Sequence, residues 1–203
     1  MRMKEWFVSQ SVGARHSAQG TDAPNHDCRG YWRRSRIINT LQLVEDDTVG
    51  FLSSRMNTIQ LFTIGFTKKN AEQFFGKIIE AGVKRVVDVR LNNTSQLAGF
   101  AKKEDLVYFL KNLGGIDYVH LPQLAPTQDM LDEYKKNKGD WSVYETKFLD
   151  LMTQREIEKT VPQEVLQGGC LLCSEDTPHR CHRRLIAEYL ARKWGNIKTK
   201  HLI

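Results

Sequence analysis

From about residue 56 onward, short β-rich apolar runs alternate with segments of helical periodicity, and this alternation constrains the fold more than any other feature. The runs are 59–64 (IQLFTI), 84–89 (KRVVDV), 116–121 (IDYVHL) and 169–173 (GCLLC). Each is too short for a packed helix and is bounded by turn residues, so each reads as a buried strand. Between the first two, Ala71, Phe74, Phe75, Ile78 and Ile79 recur at helical spacing over 69–81, with Thr67 as the expected cap and Gly82 as the stop. Leu106, Phe109, Leu110 and Leu113 repeat the pattern over 103–113, before Gly114 and Gly115. Residues 123–140 read as a polar excursion with a short helix around 128–136. Helices are predicted over 141–154, 155–160 and 181–194, and 197–203 can add an edge strand. The alternation predicts an α/β fold: one domain with a mostly parallel sheet and helices on both faces, a Rossmann-like three-layer arrangement.

Residues 1–55 read differently. The stretch 9–28 is rich in Ser, Gly, Asp, Asn and His and lacks apolar periodicity, and nothing before Met56 could bury a core alone. The segment is expected to be a poorly ordered N-terminal extension, with Met56 as an alternative start and 56–203 as the α/β domain. Its basic knot at 29–36 (RGYWRRSR) mixes Arg with Tyr and Trp, a combination that grips nucleic acid by charge and stacking but that also suits a solvated segment.

Charge and composition narrow the function classes. A formal net charge of +6 admits small anions, nucleotides or nucleic acid as partners without selecting among them. No apolar run approaches the roughly 20 residues of a membrane helix, and no secretory signal is evident, so the chain reads as cytoplasmic with no membrane partner. Four cysteines are too few for a disulfide scaffold of this length, and three of them cluster, which points to redox, nucleophilic or metal chemistry.

In a parallel sheet, ligands bind outside the carboxyl ends of the strands. That end gathers Gly65 and Thr67, Asp88 and Arg90, His120, Cys173 and Glu175, and the start of the last helix. The strongest constellation is Cys170-Leu171-Leu172-Cys173-Ser174-Glu175 followed by Cys181-His182-Arg183-Arg184. Cys173 ends a strand and Cys181 opens a helix, so a short loop can bring both to one pocket. Three chemistries fit: a thiol enzyme with Cys181 or Cys173 as nucleophile and His182 as proton carrier, a metal site, or an anion pocket at the helix start. Strand alternation puts Cys170 and Cys173 on opposite faces, which argues against a four-ligand structural zinc, so no metal and no cofactor are expected. The unpaired N–H groups of the helix start, with Arg180, Arg183 and Arg184 nearby, favour Cys181 as the more ionised thiol, whereas burial is expected to raise Cys173.

Asp88 and Arg90 share a face by alternation. They read either as an anion fork with an orienting carboxylate, or as a local ion pair tying the strand end to a loop. His120 reads first as a satisfied structural histidine and second as a site residue. Trp141, Tyr144 and Phe148 at helical spacing read as core, and Lys135-Lys136-Asn137-Lys138 as a solvated face.

Taken in order, TIGFT from Thr63, Asp88-Val89-Arg90, Tyr118-Val119-His120-Leu121-Pro122, LLCSE from Leu171 and CHRR from Cys181 resemble the bacterial and archaeal family known as domain of unknown function 488, over about residues 59–203. Many members carry Ile-Gly-His-Ser where this chain has Ile64-Gly65-Phe66-Thr67. Many also carry a Pro- and Arg-rich loop where this chain has Leu91-Asn92-Asn93-Thr94-Ser95-Gln96. The resemblance implies an α/β fold and a shared pocket, but no reaction. The function expected is a thiol-dependent enzyme acting on a small anionic or nucleotide-like substrate, with Cys181, His182 and Cys173 catalytic and Asp88, Arg90, Glu175, Arg183, Gly65, Thr67 and His120 around the substrate. The competing class is a non-catalytic phosphate, nucleotide or nucleic-acid binding module.

Overall fold

Apolar runs that alternate with helices bury both faces of a sheet only if successive strands run parallel, and the computed structural model has that form. It describes residues 58–94, 99–136 and 139–203. The expectations for residues 1–55 lie outside the described residues. Five strands, β1 (Ile59–Gly65), β2 (Arg85–Asp88), β3 (Asp117–His120), β4 (Gly169–Cys173) and β5 (Ile197–Leu202), form one sheet in the order β3-β2-β4-β1-β5. Every pairing is parallel.

Alternation along the strands feeds two separate cores. Phe62, Ile64, Val86, Cys170 and Leu172 pack against α1 (Ala71–Glu80) and α2 (Lys103–Gly114). Leu61, Val87, Val89 and Leu171 pack on the other face, against α4 (Trp141–Gln154), α5 (Ile157–Thr160) and α7 (His182–Trp194). The result is the three-layer α/β arrangement. The short α3 (Gln128–Leu131) runs into a π-helical turn over Asp132–Lys136, and α6 (Gln163–Leu166) leads into β4. Among the described residues, no helix is long and apolar enough to cross a membrane.

Two local readings are corrected. Helix α1 starts at Ala71, capped not by Thr67 but by Asn70, whose side chain accepts from the Gln73 N–H while the Gln73 side chain answers to the Asn70 N–H. Thr67 is diverted because Lys68 turns the chain with φ of 61°, and its hydroxyl donates to the Ser174 carbonyl instead. The second correction is α6, which carries no helical apolar repeat of its own and was not anticipated.

The topology creates the site. Strand β4 is inserted between β1 and β2, and the chain leaves β2 toward α2 on one face but leaves β4 toward α7 on the other. Adjacent strands whose connections part to opposite faces open a crevice at their carboxyl ends.

Candidate functional site

Cys173 ends β4 with its side chain on the face of α4 and α7. The next residues, Ser174 to Arg180, form a loop held from below. Thr67 N–H donates to the Ser174 carbonyl at 3.1 Å. Gly65 lets the Glu175 carbonyl approach so closely that a Cβ there would lie 1.7 Å from that oxygen. Arg183, only 1% exposed, donates from Nη1 to the Glu175 carbonyl at 2.6 Å and from Nη2 to the Asp176 carbonyl at 3.0 Å. The loop is thus clamped over the first turn of α7, where Cys181 is the N-cap and His182 the first helical residue.

Cys173 Sγ, Cys181 Sγ and a His182 ring nitrogen lie within 4.8 Å of one another, all buried. The His182 ring is fixed at both ends. Its Nε2 lies 3.0 Å from the Val89 carbonyl, which can only accept, so Nε2 carries a proton and Nδ1 faces Cys173 Sγ at 3.5 Å. The ring also packs against Phe148, with centroids 5.7 Å apart.

This geometry decides which thiol ionises, and it reverses the sequence expectation. Burial alone would raise Cys173. It is outweighed by a hydrogen bond from Cys181, by the charge and hydrogen bond of His182 and by the Glu175 backbone N–H, which together hold the thiol well below its ordinary range. The same pair holds the imidazole above its ordinary value: burial opposes protonation, and the Cys173 thiolate overcomes it. Cys181 moves the other way. Burial raises it first, and the hydrogen bond to Cys173 and that residue's negative charge add to the rise; Arg183, which donates from Nη1 to Cys181 Sγ at 3.1 Å, opposes it without prevailing. The helix start does not prevail at Cys181: the Arg183 backbone N–H favours its thiolate, but burial and the neighbouring Cys173 outweigh it. Arg184 is turned away from the site, toward Glu188 and Glu145.

A cavity of about 180 Å³ opens above the Cys–His pair. Cys173, Cys181, His182, Glu175 and Arg90 line it. Asp88, Arg183, Gly65, Thr67 and His120, also expected around the substrate, do not line it. Asp88 is fully buried, and its carboxylate takes Arg90 in a two-pronged pair, Nε to Oδ1 at 2.8 Å and Nη2 to Oδ2 at 2.6 Å, with the Tyr118 hydroxyl donating to Oδ2 at 2.8 Å. Arg90 Nη1 donates to the Ala101 carbonyl at 2.9 Å. This is the local ion pair that ties the strand end to a loop. His120 Nε2–H donates to the Arg90 carbonyl at 2.9 Å, in keeping with a satisfied histidine.

The far wall of the cavity was not anticipated. Tyr134, Trp141 and Tyr144 line it with Leu131 and Pro126. Trp141 and Tyr144 stack with centroids 5.1 Å apart, and Tyr134 meets both. Phe148 and Tyr144 are core, as read, but Trp141 is only partly buried and turns a face to the cavity. Lys135 was read as solvated. It sits at the rim on the π-helical turn, paired with Glu175 at 2.8 Å, while Arg180 stands exposed beside it. Tyr134 and Lys135 lie on the π-helical turn, a feature frequent at functional sites that no sequence pattern here announces.

The family described as "Domain of unknown function DUF488" matches over residues 70–190, more than half of the chain. The chain belongs to the DUF488 family. No curated protein and no solved structure gives a match. The matched span of this DUF488 protein holds Cys173, Cys181 and His182 together with the aromatic wall.

Proposed function

We propose that this protein is a thiol-dependent enzyme in which Cys173 is the nucleophile and His182 its acid–base partner. The observation that carries the reading is the 3.5 Å Cys173 Sγ to His182 Nδ1 contact at the floor of the cavity, with the opposite ring nitrogen tied to Val89. A thiolate beside an imidazolium attacks an electrophilic centre, and the imidazolium then returns a proton to the leaving group.

The cavity suggests a small substrate with two ends. A planar or apolar part suits the Tyr134–Trp141–Tyr144 wall, and an anionic part suits Arg180 at the rim, where Lys135 is already paired with Glu175. A purely non-catalytic anion pocket draws less support. Arg183 and Arg90 spend three donor contacts each on protein acceptors, which leaves the rim, not the helix start, to meet a charge.

Site-resolved alkylation tests the reading. Cys173 is expected to react with iodoacetamide near neutral pH and, relative to free cysteine, to favour the anionic iodoacetate; Arg180→Gln lowers that preference. A Cys173 that stays unlabelled until denaturant is added would contradict the nucleophile, and an unchanged preference in the variant would contradict the anion rim.

A further inference from the structure

Beyond the hydrogen bond it gives the Cys173 thiolate, Cys181 has no step of its own in single-thiol chemistry, yet it lies in the same buried cluster as Cys173 and His182 and lines the same cavity as Cys173. Its neighbour Arg183 cannot swing away, because the guanidinium is held by the Glu175 and Asp176 carbonyls while it donates to Cys181 Sγ. Cys170 cannot compete, because it is buried among Phe62, Ile64 and Leu172 on the opposite face of the sheet. We propose that Cys181 is a resolving thiol for Cys173, and that the substrate class is a small disulfide, reduced as the two cysteines form a Cys173–Cys181 bond. The inference rests on Cys173 being the nucleophile.

The exchange balances within the site. The Cys173 thiolate attacks one sulfur of R–S–S–R, forming a Cys173–S bond and breaking the substrate bond. The departing RS⁻ takes the proton of the His182 imidazolium. Once Cys173 is a mixed disulfide, the negative charge and the hydrogen bond that held Cys181 protonated are gone, while the Arg183 guanidinium still favours its thiolate. Cys181 then passes its proton to His182 and attacks Cys173 Sγ. The Cys173–SR bond breaks, and the second RS⁻ leaves with that proton. The substrate gains two electrons and two protons, and the protein loses them. The sulfurs start within 4.8 Å, so closure to a bond of about 2 Å asks for side-chain rotation, with the pinned loop keeping both ends in place.

The test uses the full chain carrying Cys28→Ser, which removes the thiol outside the described residues. The protein is mixed with oxidised glutathione, and peptides are mapped by mass spectrometry alongside the glutathione thiol released. The expected result is a Cys173–Cys181 bridged peptide and two glutathione thiols per chain. With Cys181→Ser added, the reaction stops at a mixed disulfide on Cys173 with one thiol released; Cys181→Ala does the same, and a retained thermal transition shows that both variants fold. A stable mixed disulfide on Cys173 with Cys181 present and free overturns the resolving role. A Cys173 that iodoacetamide alkylates but glutathione disulfide never touches overturns the substrate class while leaving the nucleophile intact. Only failure of the alkylation itself reaches the reading underneath.

Discussion

Two clusters of buried charge sit at the same end of the sheet, and they behave oppositely. Asp88, Arg90 and Tyr118 lie on the α1–α2 side, and Cys173, Cys181 and His182 on the α4–α7 side. In the first, the Asp88 carboxylate oxygens accept from Arg90 Nε, Nη2 and backbone N–H and from the Tyr118 hydroxyl. Nothing is left over to react. In the second, Cys173 receives partners sufficient to ionise but keeps a face on a cavity. Both motifs look functional in one dimension. The difference is whether the charge is closed on itself or turned to open space, and that depends on which face each strand end gives to the neighbouring helices.

The comparison breaks most visibly at Asp88. Asp88→Asn leaves the 4% exposed Arg90 without its counter-charge and is expected to lower stability by about 3–5 kcal/mol in urea unfolding. The pH dependence of Cys173 labelling stays unchanged. If that labelling moved with the substitution, the two clusters would not be separate devices. Gly65→Ala is expected to cost about 2–3 kcal/mol, because the new methyl must displace the Glu175 carbonyl that Arg183 holds. Unlike the Asp88 change, it should also alter Cys173 reactivity, since the Glu175 N–H bonds the thiolate.

Effects on the second cluster are smaller in energy and clearer in pH. His182→Gln removes the imidazolium, so the Cys173 midpoint moves up toward the free-thiol value of about 8.5, and labelling at pH 7 slows by up to about 30-fold. The pair also leaves a signature in stability. The depressed Cys173 contributes stability that is complete above the unfolded thiol value of about 8.5 and is lost as pH falls through the folded one. The raised His182 contributes stability that is complete below its unfolded value of about 6.5 and is lost as pH rises through the folded one. Between those two unfolded values, the folded ion pair and the unfolded neutral pair hold the same number of protons. The stability difference between wild type and Cys173→Ala should therefore be level from about pH 6.5 to 8.5 and decline above it, where the unfolded thiol loses its proton while the folded pair keeps one. A difference that keeps rising through pH 8 would mean that the folded protein has lost the thiol proton without holding one on His182.

Much of the fold was legible because its signals are local. Strand runs such as 59–64 and 169–173, and the helical repeat from Leu106 to Leu110, report burial on faces that the backbone period alone defines. The alternation that parts Cys170 from Cys173 was likewise readable, and the structure keeps them on opposite faces. The ionisation order was not readable. It depends on His182 Nε2 meeting Val89, 93 residues away in sequence, and on Cys181 lying buried against Cys173. Trp141 misled because a helical stripe looks the same whether its first aromatic meets a core or a cavity. Lys135 is exposed, as its charged run suggested, but its pairing with Glu175, 40 residues downstream, was not readable.

The account turns on Cys173 being the thiolate and Cys181 the thiol. Thiolate ultraviolet absorbance, titrated on the folded Cys28→Ser protein and on the same protein with Cys173→Ser or Cys181→Ser, measures this directly. The account predicts a step well below the ordinary thiol range that vanishes in Cys173→Ser and persists in Cys181→Ser, where the serine hydroxyl can still donate to Cys173. A low-pH step that survives Cys173→Ser and disappears with Cys181→Ser would contradict it.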